Sequence, residues 1–314
     1  MEKYLNKIIQ GDCLEVLKTL PDESIDCVMT SPPYWALRDY QVDGQLGLEP
    51  TFQEYISRLC DIFDEVKRVL KKEGTCWVNL GDTYGTKSGG KFENDNLSKK
   101  TKEQVSATTG INKANELRGT SPEMHKCLCQ IPSRFAIEMV NRGWTLRNEI
   151  IWHKPNCMPS SVKDRFTVDF EKIFFFVKSK KYNFETQREP HKEISLNRIK
   201  KPWHGHLTKG HALGGLKNGD MSKMCHPDGR NKRCVWTITT KSFKEAHFAV
   251  FPPELVETPI MAGCPKCGIV LDPFFGAGTT GLVAKQLGRN YLGIELNPEY
   301  IKIANKRLAQ EQLF

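Results

Sequence analysis

The chain has 314 residues, 39% of them apolar, with eleven cysteines and a formal net charge of +9. That length suits one large α/β domain with an inserted module, or two domains, and no apolar run approaches a membrane span. The opening "MEKYLNKIIQGD" lacks the apolar stretch of a signal peptide, so a cytoplasmic location and reduced thiols are expected.

In chain order, "KIIQGDCL" (7–14) reads as a short strand and turn, and "LEVLKTLPDES" as a helix stopped by Pro21. "IDCVMTS" is the next strand. "TFQEYISRLCDIFDEVKRVLKKEG" places Tyr55, Leu59, Ile62, Phe63, Val66, Val69 and Leu70 at helical spacing, with Gly74 as the expected stop. "TCWVNLGDTY" is a strand entering a loop. Residues 86–120 are polar, charged and rich in Gly, Ser and Lys, which predicts a mobile loop. The segment 127–185 returns to order as helix "PSRFAIEMVNRG" and strands "WTLRNEIIWHKP" and "EKIFFFVKS". Residues 186–235 are basic and irregular; 236–314 are α/β again. Alternating strands and helices predict a mostly parallel sheet flanked by helices, with residues 186–235 as an inserted recognition region between the segments 1–185 and 236–314 of one domain.

Two motifs stand out. "CVMTSPPYW" (27–35) is an apolar strand broken by two prolines, which cannot continue a sheet. It leaves a stiff corner with one hydroxyl, bare carbonyls and two aromatic rings. "VLDPFFGAGTTG" is an apolar strand, an acid, a turn with Gly276 and Gly278, and a helix opening at Thr279; a second strand then ends in Glu295. An acid so placed suits two ribose hydroxyls. The turn matches neither the G-x-G-x-x-G dinucleotide fingerprint nor a G-K-[ST] phosphate loop. A nucleoside without a phosphate chain therefore fits, and S-adenosylmethionine (AdoMet) is one. A tight turn in any α/β protein is the plain alternative for the glycines alone.

Taken together, "GDCLEVLKTLPDESIDCVMTSPPYW" and "HFAVFPPELVETPI…VLDPFFGAGTT…YLGIELNPEY" resemble the amino-methyltransferases of DNA, in the motif order called the beta class. The resemblance implies a Rossmann-like AdoMet-dependent methyltransferase fold with permuted motifs. It assigns catalysis to Ser31, Pro32, Pro33 and Tyr34. It assigns cofactor binding to Asp12, Cys13, Phe251, Asp272, Phe274, Gly276, Gly278, Thr279 and Glu295. Asp12 equally suits a helix N-cap, and Phe251 an ordinary core position. Lys200, Lys201, Trp203, His204, Lys209, Arg230 and Arg233 are expected to meet phosphates and bases, and Trp35 to join Tyr34 in stacking on a base. A solvated surface loop is the other reading of 186–235.

Exocyclic amines need no cysteine nucleophile, and "GCPKCG" is the reverse of the Pro-Cys pair that ring-carbon methylation uses. Cys264 and Cys267 make half a zinc knuckle, and unpaired thiols are the favoured reading, so no metal is expected. Ser before Pro-Pro is associated in the family with cytosine N4; adenine N6 stays the alternative. Less favoured are an RNA or protein amine as substrate and a module that only reads DNA. The implied partner is double-stranded DNA. A cognate restriction endonuclease, and monomer or homodimer, are left open.

Overall fold

The computed structural model describes residues 1–40, 42–85, 124–199, 225–241 and 250–310. The loop expected at 86–120 lies outside them. Contacts divide the chain into two units, Met1–Phe184 with Cys234–Phe314, and Glu185–Arg233.

The larger unit is built on strands β1 (Lys7–Gln10), β2 (Ile25–Thr30), β3 (Leu70–Leu80), β4 (Thr145–His153) and β5 (Phe170–Val177). Strands β8 (Val235–Thr237), β9 (Ile269–Asp272) and β10 (Asn290–Glu295) complete it. They form one eight-stranded sheet in the order β1-β10-β9-β2-β3-β5-β4-β8. Every pairing is parallel except the two made by β5. Helices α1 (Cys13–Lys18), α2 (Phe52–Val69), α3 (Ile131–Asn141), α5 (Pro253–Gly263), α6 (Thr279–Gln286) and α7 (Pro298–Gln310) belong to the same unit.

The run "KIFFFV" shows why the sheet is covered on both faces. Phe174 and Phe176 pack with Phe135 and Trp144 in one cluster, while Ile173, Phe175 and Val177 pack with Trp77 and Trp152 in another. A continuous apolar run is what a strand buried on both sides needs. Trp77 and Phe175 stack with ring centroids 3.9 Å apart.

Helix α2 buries one stripe from Phe52 to Val69, and the Thr51 hydroxyl caps it by accepting the Glu54 N–H. Gly74 does not stop it. Leu70 is already extended and begins β3, and Gly74 lies inside that strand. A Cβ on Gly74 would meet Leu70 Cδ1 at 2.6 Å, so glycine there makes room for a leucine.

The parallel strands bring Asp12, Ser31, Asp272 and Glu295 to one rim, at the carboxyl ends of β1, β2, β9 and β10. From β9 the chain crosses outward to β10, and from β2 it crosses the other way to β3. The crevice between β9 and β2 is therefore the switch point at which open α/β sheets bind ligands. Because β5 is antiparallel to both β3 and β4, the end of β4 and the start of β5 reach that same rim.

In the smaller unit, β6 (Arg188–Glu189) pairs with β7 (Arg230–Asn231), and α4 spans Glu193–Ile199. Among the described residues, no helix is long and apolar enough to cross a membrane.

Candidate active site

The switch point is tied shut at its base. Thr30 Oγ1 donates to Asp272 Oδ1 at 2.6 Å, and Thr280 Oγ1 donates to Asp272 Oδ2 at 2.7 Å. The Phe274 N–H adds a third bond to Oδ1 at 3.0 Å. Asp272 is 1% exposed; burial pushes its carboxyl up to about 6, against the pull of these hydrogen bonds. Asp272, expected to meet a cofactor, does not line the cavity above; its bonds join the end of β2 to α6.

The two glycines of the turn also differ. Both have left-handed backbone, φ 51° at Gly276 and 80° at Gly278. A Cβ on Gly276 would meet nothing nearer than the Phe274 carbonyl at 4.0 Å, and Gly276 lines the cavity. A Cβ on Gly278 would lie 2.9 Å from Ala304 Cβ, and Gly278 does not line the cavity. Gly278, expected beside a ligand, is where α6 packs closely on α7. Beneath the turn, the Phe275 ring sits where a Cβ on Gly281 or Gly293 would come within 2.6 or 2.4 Å of it.

Glu295 is held by its own backbone frame. Its Oε2 accepts the Gly276 N–H at 2.7 Å and its Oε1 the Asn297 N–H at 2.7 Å. Burial raises its pKa, and these two N–H groups oppose the rise. Each oxygen keeps a further lone pair, and Glu295 lines the cavity. Asp12 caps α1, with Oδ1 accepting from the Leu14 and Glu15 N–H groups at 2.9 and 3.2 Å, and it lines the cavity as well. Cap and cavity wall are thus the same residue.

The corner is fixed from several sides. The Tyr55 hydroxyl donates to the Pro33 carbonyl at 2.8 Å, and the Ala36 N–H to the Gly47 carbonyl at 2.8 Å. Among the described residues none donates to the Pro32 carbonyl. Ser31 Oγ donates to Asn79 Oδ1 at 3.3 Å. The Tyr34 hydroxyl lies 2.7 Å from Glu171 Oε2 and 3.2 Å from Asn79 Oδ1. Lys154 Nζ pairs with Glu171 Oε1. Burial, and then the Glu171 charge, hold the Tyr34 phenol well above its ordinary pKa. Its ring lies against Gly81, where a Cβ would come 2.5 Å from it.

Trp35 is a correction. It is 4% exposed, its Nε1–H donates to the Glu49 carbonyl at 2.9 Å, and it meets Phe52 edge-on. A side chain so enclosed has no face for a base.

A cavity of about 310 Å³ brings the rest together: Ser31, Pro32, Pro33, Tyr34, Asp12, Cys13, Phe251, Phe274, Gly276, Thr279 and Glu295 all line it. Sequence reasoning missed Asn79, Lys154 and Glu171 on one wall and Tyr40, Asn297 and Tyr300 on another. Tyr40 and Tyr300 meet edge-on, with centroids 6.2 Å apart. Asn79, beside the end of β3, and Lys154, just past β4, carried the signal of a polar residue at a strand end, but not that these ends meet. In the smaller unit, Arg230 and Arg233 both pair with Glu189, at 2.8 and 2.7 Å. Lys200, Lys201, Trp203, His204 and Lys209 lie outside the described residues. Among those described, no cluster of three or more His, Cys, Asp or Glu is placed to hold a metal ion.

Comparison with known proteins adds the family. A family model described as DNA methylase matches residues 25–306. The chain is 41% identical over 304 residues to the type II methyltransferase M.Cfr9I of Citrobacter freundii, covering 97% of this chain and 88% of that one. It is 40% identical over 308 residues to the type II methyltransferase M.SmaI of Serratia marcescens, covering 98% and 91%. Among solved structures, the PvuII DNA methyltransferase (cytosine-N4-specific) aligns with a TM-score of 0.62 at 21% identity, covering 96% and 85%. A putative DNA modification methylase from Thermus thermophilus, complexed with S-adenosyl-L-methionine, aligns with a TM-score of 0.57 at 23% identity, covering 97% and 95%. A match that runs from β2 into the last helix, with relatives this similar over nearly the whole chain, makes this protein a member of the N6/N4 DNA methylase family.

Proposed function

We propose that this DNA methyltransferase moves a methyl group from AdoMet to the exocyclic N4 amine of cytosine in duplex DNA, with the target base rotated out of the stack. The observation that carries the reading is the shared cavity, which Ser31 and Pro32 line together with Glu295 and Asp12.

The cavity suits AdoMet. Of the four cations that line it, Arg58, Lys154 and Lys241 each pair with a carboxylate of the chain, Glu49, Glu171 and Glu254, so these three are not waiting for a phosphate chain. Glu295 is positioned to accept from ribose hydroxyls, Asp12 from the adenine amino group, and Phe251 and Phe274 offer apolar walls. When bound, AdoMet supplies an electrophilic methyl group on a sulfonium. The rest falls to the chain. An exocyclic amine is a poor nucleophile because its lone pair is delocalised into the ring. Ser31 Oγ and the Pro32 carbonyl accept its N–H bonds and shift the nitrogen toward sp³. Acceptors fixed in advance favour the transition state over the ground state. Tyr34 offers a face to the flipped base, as enzymes acting on a buried base atom require.

The serine ahead of Pro-Pro is the basis for cytosine. The smaller unit, Glu185–Arg233, is the proposed target-recognition region, and duplex DNA the partner. Relatives described as type II methyltransferases support a role in restriction-modification beside a cognate endonuclease.

Nucleoside mass spectrometry of DNA from cells expressing the chain tests the reading. N4-methyldeoxycytidine is expected. N6-methyldeoxyadenosine in its place would keep the family and overturn the base.

A further inference from the structure

Asn79 lies one residue from the end of β3 and is 1% exposed. Its Nδ2 donates to Glu171 Oε2 at 3.1 Å and to the Lys172 carbonyl at 3.2 Å. Its Oδ1 faces Ser31 Oγ at 3.3 Å and the Tyr34 hydroxyl at 3.2 Å. The two ends of an amide are alike in shape and opposite in chemistry: one donates twice, the other only accepts. The network therefore decides which end faces where. Turned over, the amide would set its oxygen against a carboxylate and a carbonyl, with no proton between them. It would also leave buried acceptors without donors, which is costly at low local dielectric.

Lys154 holds Glu171 by Oε1, which leaves Oε2 facing Asn79 and Tyr34. Tyr34 has one hydroxyl proton. The shorter contact, 2.7 Å to Glu171 against 3.2 Å to Asn79, takes it. Asn79 Oδ1 is then left for the proton of Ser31.

We propose that Asn79, locked in one orientation by Glu171, is a positioning residue that fixes the direction of the Ser31 hydroxyl and makes Ser31 a hydrogen-bond acceptor toward the substrate amine. A free serine hydroxyl can point its proton at the amine and tie up the lone pair that must react. With the proton directed into Asn79, only oxygen lone pairs face the amine. The direction is set before substrate arrives, so no reorganisation is needed at the moment of reaction. This inference rests on the reading of Ser31 given above.

The test is a double-mutant cycle in single-turnover methyl transfer, at saturating AdoMet, on a duplex carrying a sequence found methylated in DNA from cells expressing the chain. Asn79→Ala is expected to slow transfer by about tenfold to a hundredfold, within the range for one positioned group. Because Asn79 acts through Ser31, the Ser31→Ala/Asn79→Ala pair is expected to match Ser31→Ala alone within about twofold. Affinity for AdoMet is expected to stay unchanged in all three. Should the buried Asn79→Ala chain fail to fold, Glu171→Ala serves. It is measured in a Tyr34→Phe background, which removes the other hydroxyl that Glu171 holds, and the same lack of additivity with Ser31→Ala is expected. Glu171→Gln, which keeps an acceptor for Asn79, should retain more activity than Glu171→Ala. Wild-type transfer by Asn79→Ala, or losses that multiply with that of a slow Ser31→Ala, would overturn the inference alone. Wild-type transfer by Ser31→Ala would remove the catalytic reading and this inference with it.

Discussion

Thr30 and Asp272 stand 242 residues apart in sequence and 2.6 Å apart in space. Their hydrogen bond joins the last residue of β2 to the last residue of β9, next to the catalytic corner on one side and the glycine turn on the other. The halves that the chain separates by the inserted unit are bonded at the crevice where they must cooperate.

That bond has a pH signature. Asp272 titrates at about 6 in the fold because burial disfavours its charge, against about 3.9 in an unfolded chain. A raised carboxyl contributes stability that is fully present below about pH 4 and is lost as pH rises through about 6. The stability of the wild type minus that of Asp272→Asn is therefore expected to fall by about 2 kcal/mol between pH 4 and pH 7. Urea denaturation at several pH values reads it. A difference that does not change with pH would place the charge elsewhere.

The two turn glycines should separate by phenotype. Gly278→Ala adds a methyl group against Ala304 at a backbone that alanine resists, so it should lower the melting temperature by several degrees, with about 1–3 kcal/mol lost. Gly276→Ala meets the same left-handed backbone but no close neighbour, so it should cost less stability than Gly278→Ala and, because Gly276 lines the cavity, weaken AdoMet binding. Equal losses of stability, with AdoMet affinity intact in both, would contradict the assignment.

Glu295→Ala removes the proposed ribose acceptor and leaves the Gly276 and Asn297 N–H groups without their partner. Calorimetric titration should show AdoMet affinity reduced by about 1.5–3 kcal/mol, the range for a hydrogen bond to a charged group. In the wild type, the raised pKa of Glu295 means that affinity should fall with decreasing pH sooner than for an ordinary glutamate. Unchanged affinity in Glu295→Ala would take Glu295 out of the site.

Residues at the ends of apolar runs were legible from sequence alone. Asp12, Ser31, Tyr34, Gly276 and Glu295 each follow or end a strand that the pattern marks, and one parallel sheet is enough to collect them. Asn79, Lys154 and Glu171 were not legible, because they meet through β5, which runs antiparallel between β3 and β4. Local periodicity does not encode that pairing. Gly276 and Gly278 read alike in "FFGAGTT", and only the approach of Ala304 to one of them tells them apart. Trp35 looked like a second stacking ring beside Tyr34. What buries it is the later segment that brings the Glu49 carbonyl and Phe52 to its indole.

The central claim is that the Ser31 corner acts on the substrate amine, and single-turnover methyl transfer by Ser31→Ala tests it most directly. The substitution removes one acceptor and leaves Pro32, Pro33 and the sheet in place. On a duplex carrying a sequence found methylated in DNA from expressing cells, with AdoMet and DNA affinities confirmed by titration, the account predicts a rate lower by about a hundredfold or more. A wild-type rate from a correctly folded Ser31→Ala chain would mean that "SPPY" is a strand-ending turn and that the chemistry lies elsewhere on the rim.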